Sequence, residues 1–162
     1  NTWEYRALVD KVRTEIPEIA ISTDIIVGFP GESAAEFEET CSFVQSMAFA
    51  GGHVFTYSPR PGTAAANIKS RVPIQEAKAR NAALRRVFDE SGHQYRSRFL
   101  GEQMSVLWES GEKVEEHLWR LSGLTDNYIR VIALADQDHW NQLMQVSLEA
   151  HHPTRKALRG KL

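Results

Sequence analysis

The spacing of hydrophobic residues changes several times along the first hundred positions, and each change predicts a new element. Residues 2–15 place apolar side chains at three- and four-residue intervals, which predicts an amphipathic helix that Pro17 ends. Those side chains, with the next one beyond the helix, are Tyr5, Leu8, Val12 and Ile16. Residues 20–27 are β-branched and nearly all apolar, and this composition predicts a strand that is covered on both faces.

A second helix and a second strand follow the glycine-containing turn at residues 28–31. Ser33 and Glu36 have the spacing of a capping box, so a helix is predicted to begin there. Its buried stripe is expected to be Phe37, Cys41, Val44 and Ala48. Residues 53–57 predict the next strand. The order helix, strand, helix, strand with short connections indicates a parallel α/β sheet or barrel.

A long helix is predicted from Pro73, a residue that suits the first helical turn, to about residue 99. One face repeats the buried residues Leu84, Phe88, Ser91, Tyr95 and Phe99. The remaining faces carry Arg80, Arg85, Arg86, Arg96 and Arg98.

Beyond Gly101 the pattern changes to short apolar runs about ten residues apart, which predicts a small antiparallel barrel of the OB type. The runs are 104–108, 118–121, 128–132 and 143–148. We therefore expect an α/β domain over residues 1–100, a β-barrel domain over 101–150 and a flexible basic tail over 151–162.

Composition narrows the class of protein. The apolar content of 42% and the charged content of 25% are ordinary for a globular protein, and no apolar run approaches the ~20 residues of a membrane span. The single cysteine, Cys41, excludes an internal disulfide and is expected to be a small core residue. We expect a cytoplasmic protein without a metal site of its own.

The net charge of −2 conceals a strong asymmetry. Residues 1–59 carry three basic and nine acidic side chains, whereas residues 60–100 carry nine basic and three acidic ones. Residues 101–162 carry seven basic and nine acidic side chains. The central positive block suits either a polyanion-binding surface or a solvated helix face.

Candidate ligand-binding residues lie where the two predicted strands end. The carboxyl ends of parallel strands form the ligand-binding edge of α/β folds, and residues 24–32 and 57–63 are expected there. Gly28 and Gly31 allow a close backbone approach to a ligand, and the next helix offers N–H groups to negative charge. Asp24 is the only charge in its strand, so it either binds ribose hydroxyls or caps a local turn.

Three motifs resemble one family in sequence order. Residues 23–32 (TDIIVGFPGE) and 53–63 (HVFTYSPRPGT) resemble the last third of the barrel in radical S-adenosylmethionine (radical SAM) tRNA methylthiotransferases. Residues 124–131 (LTDNYIRV) resemble the signature strand of the TRAM domain that ends those enzymes. The resemblance implies an incomplete TIM-type radical SAM barrel followed by an OB-like TRAM barrel.

The resemblance also implies roles for individual residues. Asp24 would face the ribose of SAM, while Ile26, Val27 and Gly28 would border its adenosyl group. Arg60 and Thr63 are expected near the mouth of the barrel. In the TRAM domain, tRNA contacts near the anticodon would fall to Thr125, Asn127 and Arg130.

The barrel has a second possible RNA surface. Arg120 and Arg130 with Trp119 and Tyr128 can form a stacking and charge patch, although the region is net acidic. The alternative is that at least two of the aromatic residues Trp108, Trp119 and Tyr128 belong to the barrel core.

The family binds two 4Fe-4S clusters through cysteines that this chain lacks, so the segment alone is expected to be inactive. The parent enzyme would add a methylthio group to a modified adenosine beside the anticodon, with SAM and both clusters as cofactors. The threonylcarbamoyl-adenosine branch is favoured over the isopentenyl-adenosine and ribosomal-protein branches. The expected partner is the tRNA anticodon stem-loop, not DNA or a membrane, with a monomeric protein. Two alternatives are a non-catalytic RNA-binding module and a half-barrel interaction domain.

Overall fold

The computed structural model describes all 162 residues, which form two compact units. The α/β unit consists of Asn1–Glu15 and Ala20–Gly92, and the barrel unit consists of Ile16–Ile19 and His93–Leu162. The boundary was expected near residue 100, but it falls inside a helix. The difference arises because the last turns of that helix bond to barrel-unit residues, as when the Tyr95 hydroxyl donates to the Glu18 carbonyl over 2.7 Å. No helix is long and apolar enough to cross a bilayer.

The α/β unit alternates helices and strands. Its elements are helix α1 (Thr2–Glu15), strand β1 (Ser22–Val27), helix α2 (Ala34–Met47), strand β2 (Gly51–Thr56), a short 3-10 helix (Ala64–Asn67) and helix α3 (Ile74–Ser97), which continues into the barrel unit. Strands β1 and β2 run parallel in a two-stranded sheet. The predicted parallel α/β arrangement is therefore confirmed for these two strands.

The core of the α/β unit lies on one face of this sheet. It is formed by Val9, Val27, Val44, Met47, Phe49, Leu84 and Phe88. Helix α3 packs closely on β2, because a Cβ at Gly52 would overlap the Phe88 ring. Helix α1 contributes Val9 to the core, whereas the expected core residue Leu8 is 60% exposed.

The barrel unit is a closed five-stranded barrel. Its strands are β3 (Gln103–Glu115), β4 (Leu118–Thr125), β5 (Arg130–Ala135), β6 (Leu143–His151) and β7 (Leu158–Lys161). The order is β3-β4-β5-β7-β6, and β6 also pairs with β3, so the sheet has no free edge. A small all-β barrel is confirmed, but the purely antiparallel prediction is wrong because β5 and β7 are parallel.

The expectation of a loose basic tail over residues 151–162 is wrong. Strand β7 lies between β5 and β6, and Ala157 and Leu158 are almost fully buried. Gly160 allows this placement, because a Cβ there would overlap Val131 and Val146 in the barrel interior. The sequence does not predict this strand, because it has only four residues and Leu158 is the only large apolar one among them.

Candidate functional site

The exposed face of the two-stranded sheet carries an acid–base pair. Asp24 on β1 and His53 on β2 are register partners, and His53 Nδ1 lies 3.0 Å from Asp24 Oδ1. Both side chains are more than two thirds exposed, at 70% for Asp24 and 77% for His53. The sequence predicted a strand that is covered on both faces, and this expectation is wrong for β1, because the Asp24 side chain is exposed.

Two apolar side chains lie beside this pair, one step nearer the carboxyl ends of the strands. Ile26 and Phe55 are register partners, and they are 56% and 52% exposed. Val27, which was expected to border a ligand, is fully buried in the core instead. Alternation along the strand explains the difference, because successive side chains point to opposite faces. A ligand on the exposed face would meet Ile26 but not the Val27 side chain.

The glycine turn after β1 is packed against a helix. Gly28 has φ +70°, a conformation that favours glycine, and its amide donates to Glu32 Oε2 over 2.7 Å. A Cβ at Gly28 would lie 2.6 Å from the Ala77 Cβ on α3. The close approach that was expected toward a ligand is thus made toward a helix. Gly31, with φ +90°, has open space where its Cβ would be.

A buried ion network holds this turn, and the sequence reading missed its central residue. Arg80 is only 6% exposed, and its Nη1 donates to Glu32 Oε2 over 2.7 Å and to the Glu32 carbonyl over 2.9 Å. Its Nη2 donates to Glu76. Burial opposes the charge, but these bonds and the two carboxylates raise the pKa of Arg80.

A signal for this role was present in the sequence. Arg80 was assigned to the solvated faces of α3, but it lies four positions before Leu84 and so extends the buried stripe of that helix. It also follows Glu76 by four positions, the spacing of a helical ion pair. Helical spacing alone could therefore have placed Arg80 on the buried stripe and beside Glu76, whereas its contact with Glu32 depends on how α3 packs against the turn.

The N-terminus of α2 is already satisfied by its own side chains. Ser33 Oγ accepts from the Glu36 amide, and Glu36 Oε2 accepts from the Ser33 amide over 2.8 Å, which confirms the predicted capping box. The Ser33 backbone and hydroxyl bonds hold the pKa of Glu36 below its usual value. Because this carboxylate occupies the helix start, the expected attraction for a ligand anion is offset.

The two turns after β1 and β2 meet, as predicted. Gly28 and Pro30 from the first turn and Tyr57 and Pro59 from the second line a cavity of about 170 Å³. Arg60 and Thr63 do not line it. The Thr63 hydroxyl donates to the Arg60 carbonyl over 2.8 Å and caps the short 3-10 helix, while Arg60 itself is exposed.

In the barrel unit, two residues expected to contact RNA have internal roles. Thr125 and Asn127 are buried, and the Thr125 hydroxyl contacts Asn127 Oδ1 at 2.6 Å and accepts from the Ile129 amide over 2.9 Å. Asn127 Nδ2 donates to the Glu18 carbonyl. These bonds shape the turn between β4 and β5. The Thr125 and Asn127 side chains are therefore bonded inside the unit, and a tRNA contact by either residue stays a prediction.

That turn presents Tyr128 to solvent. Its side chain is 79% exposed, and its φ of +62° is unusual for an aromatic residue. Of the three aromatic residues expected either in the core or in a surface patch, Trp108 is fully buried, Trp119 is half-buried and Tyr128 is exposed. The expectation that at least two belong to the core therefore holds fully only for Trp108.

The two barrel arginines are partly neutralised. Arg130 donates to Glu109 and, over 3.4 Å, to the Ser122 hydroxyl, while Arg120 donates to Glu112. Both arginine side chains are more than a third exposed. Each can therefore reach a phosphate while remaining near its carboxylate.

The residues of this chain do not fit an iron–sulfur cluster. Cys41 is the only cysteine, and it packs against the core of the α/β unit. Burial, with Glu32 and Glu38 nearby, raises the pKa of its thiol, so the thiolate that ligates metals is disfavoured. No cluster of three or more His, Cys, Asp or Glu side chains is placed to hold a metal ion.

Two groups of curated proteins are similar in sequence to this chain. No family model matches the chain. A tRNA-2-methylthio-N(6)-dimethylallyladenosine synthase of Endomicrobium trichonymphae is 42% identical over 105 residues, which are 65% of this chain and 25% of that protein. The synthase of the same name from Neisseria meningitidis is 35% identical over 159 residues, 98% of this chain and 35% of that protein.

A second group of relatives has a different name. The threonylcarbamoyladenosine tRNA methylthiotransferase MtaB of Bacillus subtilis is 33% identical over 146 residues, 90% of this chain and 32% of that protein. The chain thus spans about a quarter to a third of the length of these curated relatives. Matches of 33–42% identity over most of the chain, in both named groups, show that it belongs to the tRNA methylthiotransferase family.

Proposed function

We propose that this chain is part of a methylthiotransferase that adds a methylthio group to a modified adenosine beside the tRNA anticodon. One observation carries the proposal: a relative named tRNA-2-methylthio-N(6)-dimethylallyladenosine synthase is 35% identical over 98% of the chain, and the match therefore includes both structural units. We place the protein in the cytoplasm as a monomer, and we keep the threonylcarbamoyl branch as the favoured substrate.

The α/β unit is proposed to be the end of an incomplete radical SAM barrel. Its exposed sheet face would be the inner face, where Asp24 accepts hydrogen bonds from the ribose of SAM and Ile26 covers the adenosyl group. The Gly28 backbone would border the same ligand, and Arg60 would stand at the mouth. SAM supplies the methyl group in this reaction.

The iron–sulfur clusters are proposed to be held by residues outside this chain, because the donor set here does not fit them. The chain alone would therefore bind and orient ligands without catalysing the transfer. Its contribution to the reaction lies in two binding surfaces, one on each unit.

The barrel unit is proposed to be a TRAM domain that binds the anticodon stem-loop. Tyr128 offers an exposed ring for stacking on an unpaired base, which is how proteins commonly bind single-stranded RNA. Arg120 and Arg130 would contact phosphates. Because Glu112 and Glu109 share these cations, we expect moderate affinity with a shallow dependence on salt.

The RNA surface can be tested by fluorescence anisotropy with a labelled anticodon stem-loop. Tyr128→Ala is expected to weaken binding by about 5- to 100-fold, the range for loss of one stacked base. Arg130→Gln should reduce the slope of log K against log salt by about one. Trp3→Ala is the matched control, because Trp3 is also an exposed aromatic residue, 68% exposed, but lies in the α/β unit. Equal binding by wild type and Tyr128→Ala would remove the stacking role.

The reaction and the branch can be tested in cells. The gene that contains this chain is expressed in a bacterial strain that lacks both methylthio-adenosine modifications, and tRNA nucleosides are analysed by mass spectrometry. Appearance of the methylthio derivative of threonylcarbamoyl-adenosine is the expected result. The isopentenyl derivative would assign the chain to the other branch. The absence of both derivatives would contradict the proposed activity.

A further inference from the structure

Four side chains lie together on the exposed face of the two-stranded sheet. Asp24 and His53 form one row across the two strands, and Ile26 and Phe55 form the next. Parallel sheets are usually covered on both faces, yet both apolar side chains here are more than half exposed. An isolated surface ion pair contributes little to stability. The block therefore has the composition of a binding surface with one polar and one apolar half.

The hydrogen-bond geometry determines what this surface can accept. An ionised carboxylate only accepts hydrogen bonds, so the proton of the pair belongs to His53 Nδ1, which donates to Asp24 Oδ1 over 3.0 Å. This bond leaves Asp24 Oδ2 without a protein donor and favours one orientation of the carboxylate. An oriented, exposed acceptor beside two apolar side chains suits a ligand with hydroxyl donors next to a flat apolar group.

A nucleoside meets this requirement through its ribose diol and its base. Resting on the proposed SAM-facing role of Asp24, we propose that His53 is the positioning residue of a nucleoside subsite on this face. His53 holds the carboxylate so that Oδ2 accepts from a ribose hydroxyl, while Ile26 and Phe55 cover the base. His53 acts through Asp24, so its loss affects recognition of the diol more than recognition of the base.

The test is an NMR titration of the 162-residue chain with adenosine, 2′,3′-dideoxyadenosine and SAM, monitored by backbone amide signals. Wild type is expected to bind adenosine about tenfold more tightly than the dideoxy compound, the effect of one bond to a charged acceptor. His53→Ala should reduce this preference to about twofold. His53→Asn should restore most of it, because the asparagine amide can donate from nearly the position of Nδ1.

Phe55→Leu is the matched control on the same face. It should weaken both nucleosides by a similar factor and leave their ratio unchanged, since it alters only the apolar half. Because His53 is exposed, its variants should retain the wild-type amide spectrum before ligand is added.

The outcomes separate this inference from the proposed function. If wild type binds SAM and adenosine but His53→Ala keeps the full preference for the diol, the positioning role is overturned and the proposed ligand face stands. The same conclusion follows if His53→Asn behaves like His53→Ala. If wild type binds neither SAM nor adenosine, the ligand face itself is overturned, and the role of His53 with it.

Discussion

The two units differ in whether their strands have unpaired edges. In the barrel unit every strand has two neighbours, so the backbone donors and acceptors of the sheet are satisfied within the unit. In the α/β unit β1 and β2 have only each other, and one face of their sheet is exposed. A closed barrel thus has a complete core, whereas the two-stranded sheet offers a face and edges to other molecules.

The two units also present their candidate binding residues on different kinds of backbone. The sheet displays Asp24, His53, Ile26 and Phe55 on regular strands, where pairing sets the position of each side chain. The barrel displays Tyr128 on a turn whose shape depends on buried polar residues. We therefore expect core substitutions to have larger effects in the barrel, and polar network substitutions to have larger effects beside the sheet.

The largest expected effect is loss of a barrel core residue. Leu148→Ala removes a fully buried side chain on β6 and should lower the free energy of unfolding by about 3–5 kcal/mol. Leu143→Ala on the same strand is the matched control, because Leu143 is 68% exposed and its loss should change stability by less than about 0.5 kcal/mol. Urea denaturation measures both changes in the free energy of unfolding, and hydrogen exchange of barrel amides assigns them to this unit. Equal effects would mean that the closed core does not dominate this unit.

The next effect tests whether the α/β unit depends on its ion network. Arg80→Ala leaves Glu32, whose side chain is 13% exposed, without its cation and should destabilise the unit by about 2–3 kcal/mol. This value is below that for fully buried pairs because the Glu76 side chain is 46% exposed.

The control for Arg80 comes from the same helix. Arg85 is exposed, so Arg85→Ala should be nearly neutral in the same denaturation experiment. Amide exchange at Gly28 should also accelerate in Arg80→Ala, since its acceptor Glu32 loses its anchor. Unchanged exchange there would contradict the proposed support of the turn.

The sequence predicted local features of the fold better than features that join distant segments. Helical and strand periodicity predicted the order of elements and the buried α3 stripe from Leu84 to Tyr95, because burial follows spacing within one element. The capping box at Ser33 and Glu36 was equally local and is confirmed. Features that depend on pairing between distant segments were missed, such as β7, whose short sequence has no clear strand pattern.

The candidate site was predicted less well for a physical reason. A motif names residues but does not state which face of a strand each one occupies. Asp24 and Val27 both belong to the recognised motif, yet alternation places one on the exposed face and the other in the core. Nothing in the sequence marks His53 as a partner of Asp24, since their contact depends on the register of β1 with β2.

A smaller effect, of opposite sign, is expected at the displayed turn of the barrel. Tyr128 has φ +62°, so Tyr128→Gly should relieve backbone strain and raise the free energy of unfolding by about 0.5–1 kcal/mol. The same change removes the proposed stacking ring and should weaken binding of the anticodon stem-loop. Thermal unfolding and anisotropy measure the two effects. A variant that is more stable and still binds RNA normally would show that the strained tyrosine has no role in recognition.

The smallest expected effect concerns pH and again distinguishes the units. His151, at the end of β6, stacks on His93 at 3.8 Å between ring centroids, and its Nε2 lies 2.8 Å from the Ser97 hydroxyl. Partial burial, with His93 and Arg96 nearby, lowers the pKa of His151 below its usual 6.5.

Because the folded pKa of His151 lies below the unfolded one, the unfolded chain binds more protons as the pH falls below 6.5. The stability that neutral His151 contributes is therefore fully present above that pH and is lost on acidification. Urea denaturation at pH 7.5 and at pH 5 should show a smaller loss for His151→Gln than for wild type. The lowered pKa of Glu36, whose ordinary value is 4.5, is common to both proteins and therefore cancels in the comparison. An identical loss in both proteins would show that the histidine stack does not couple barrel stability to pH.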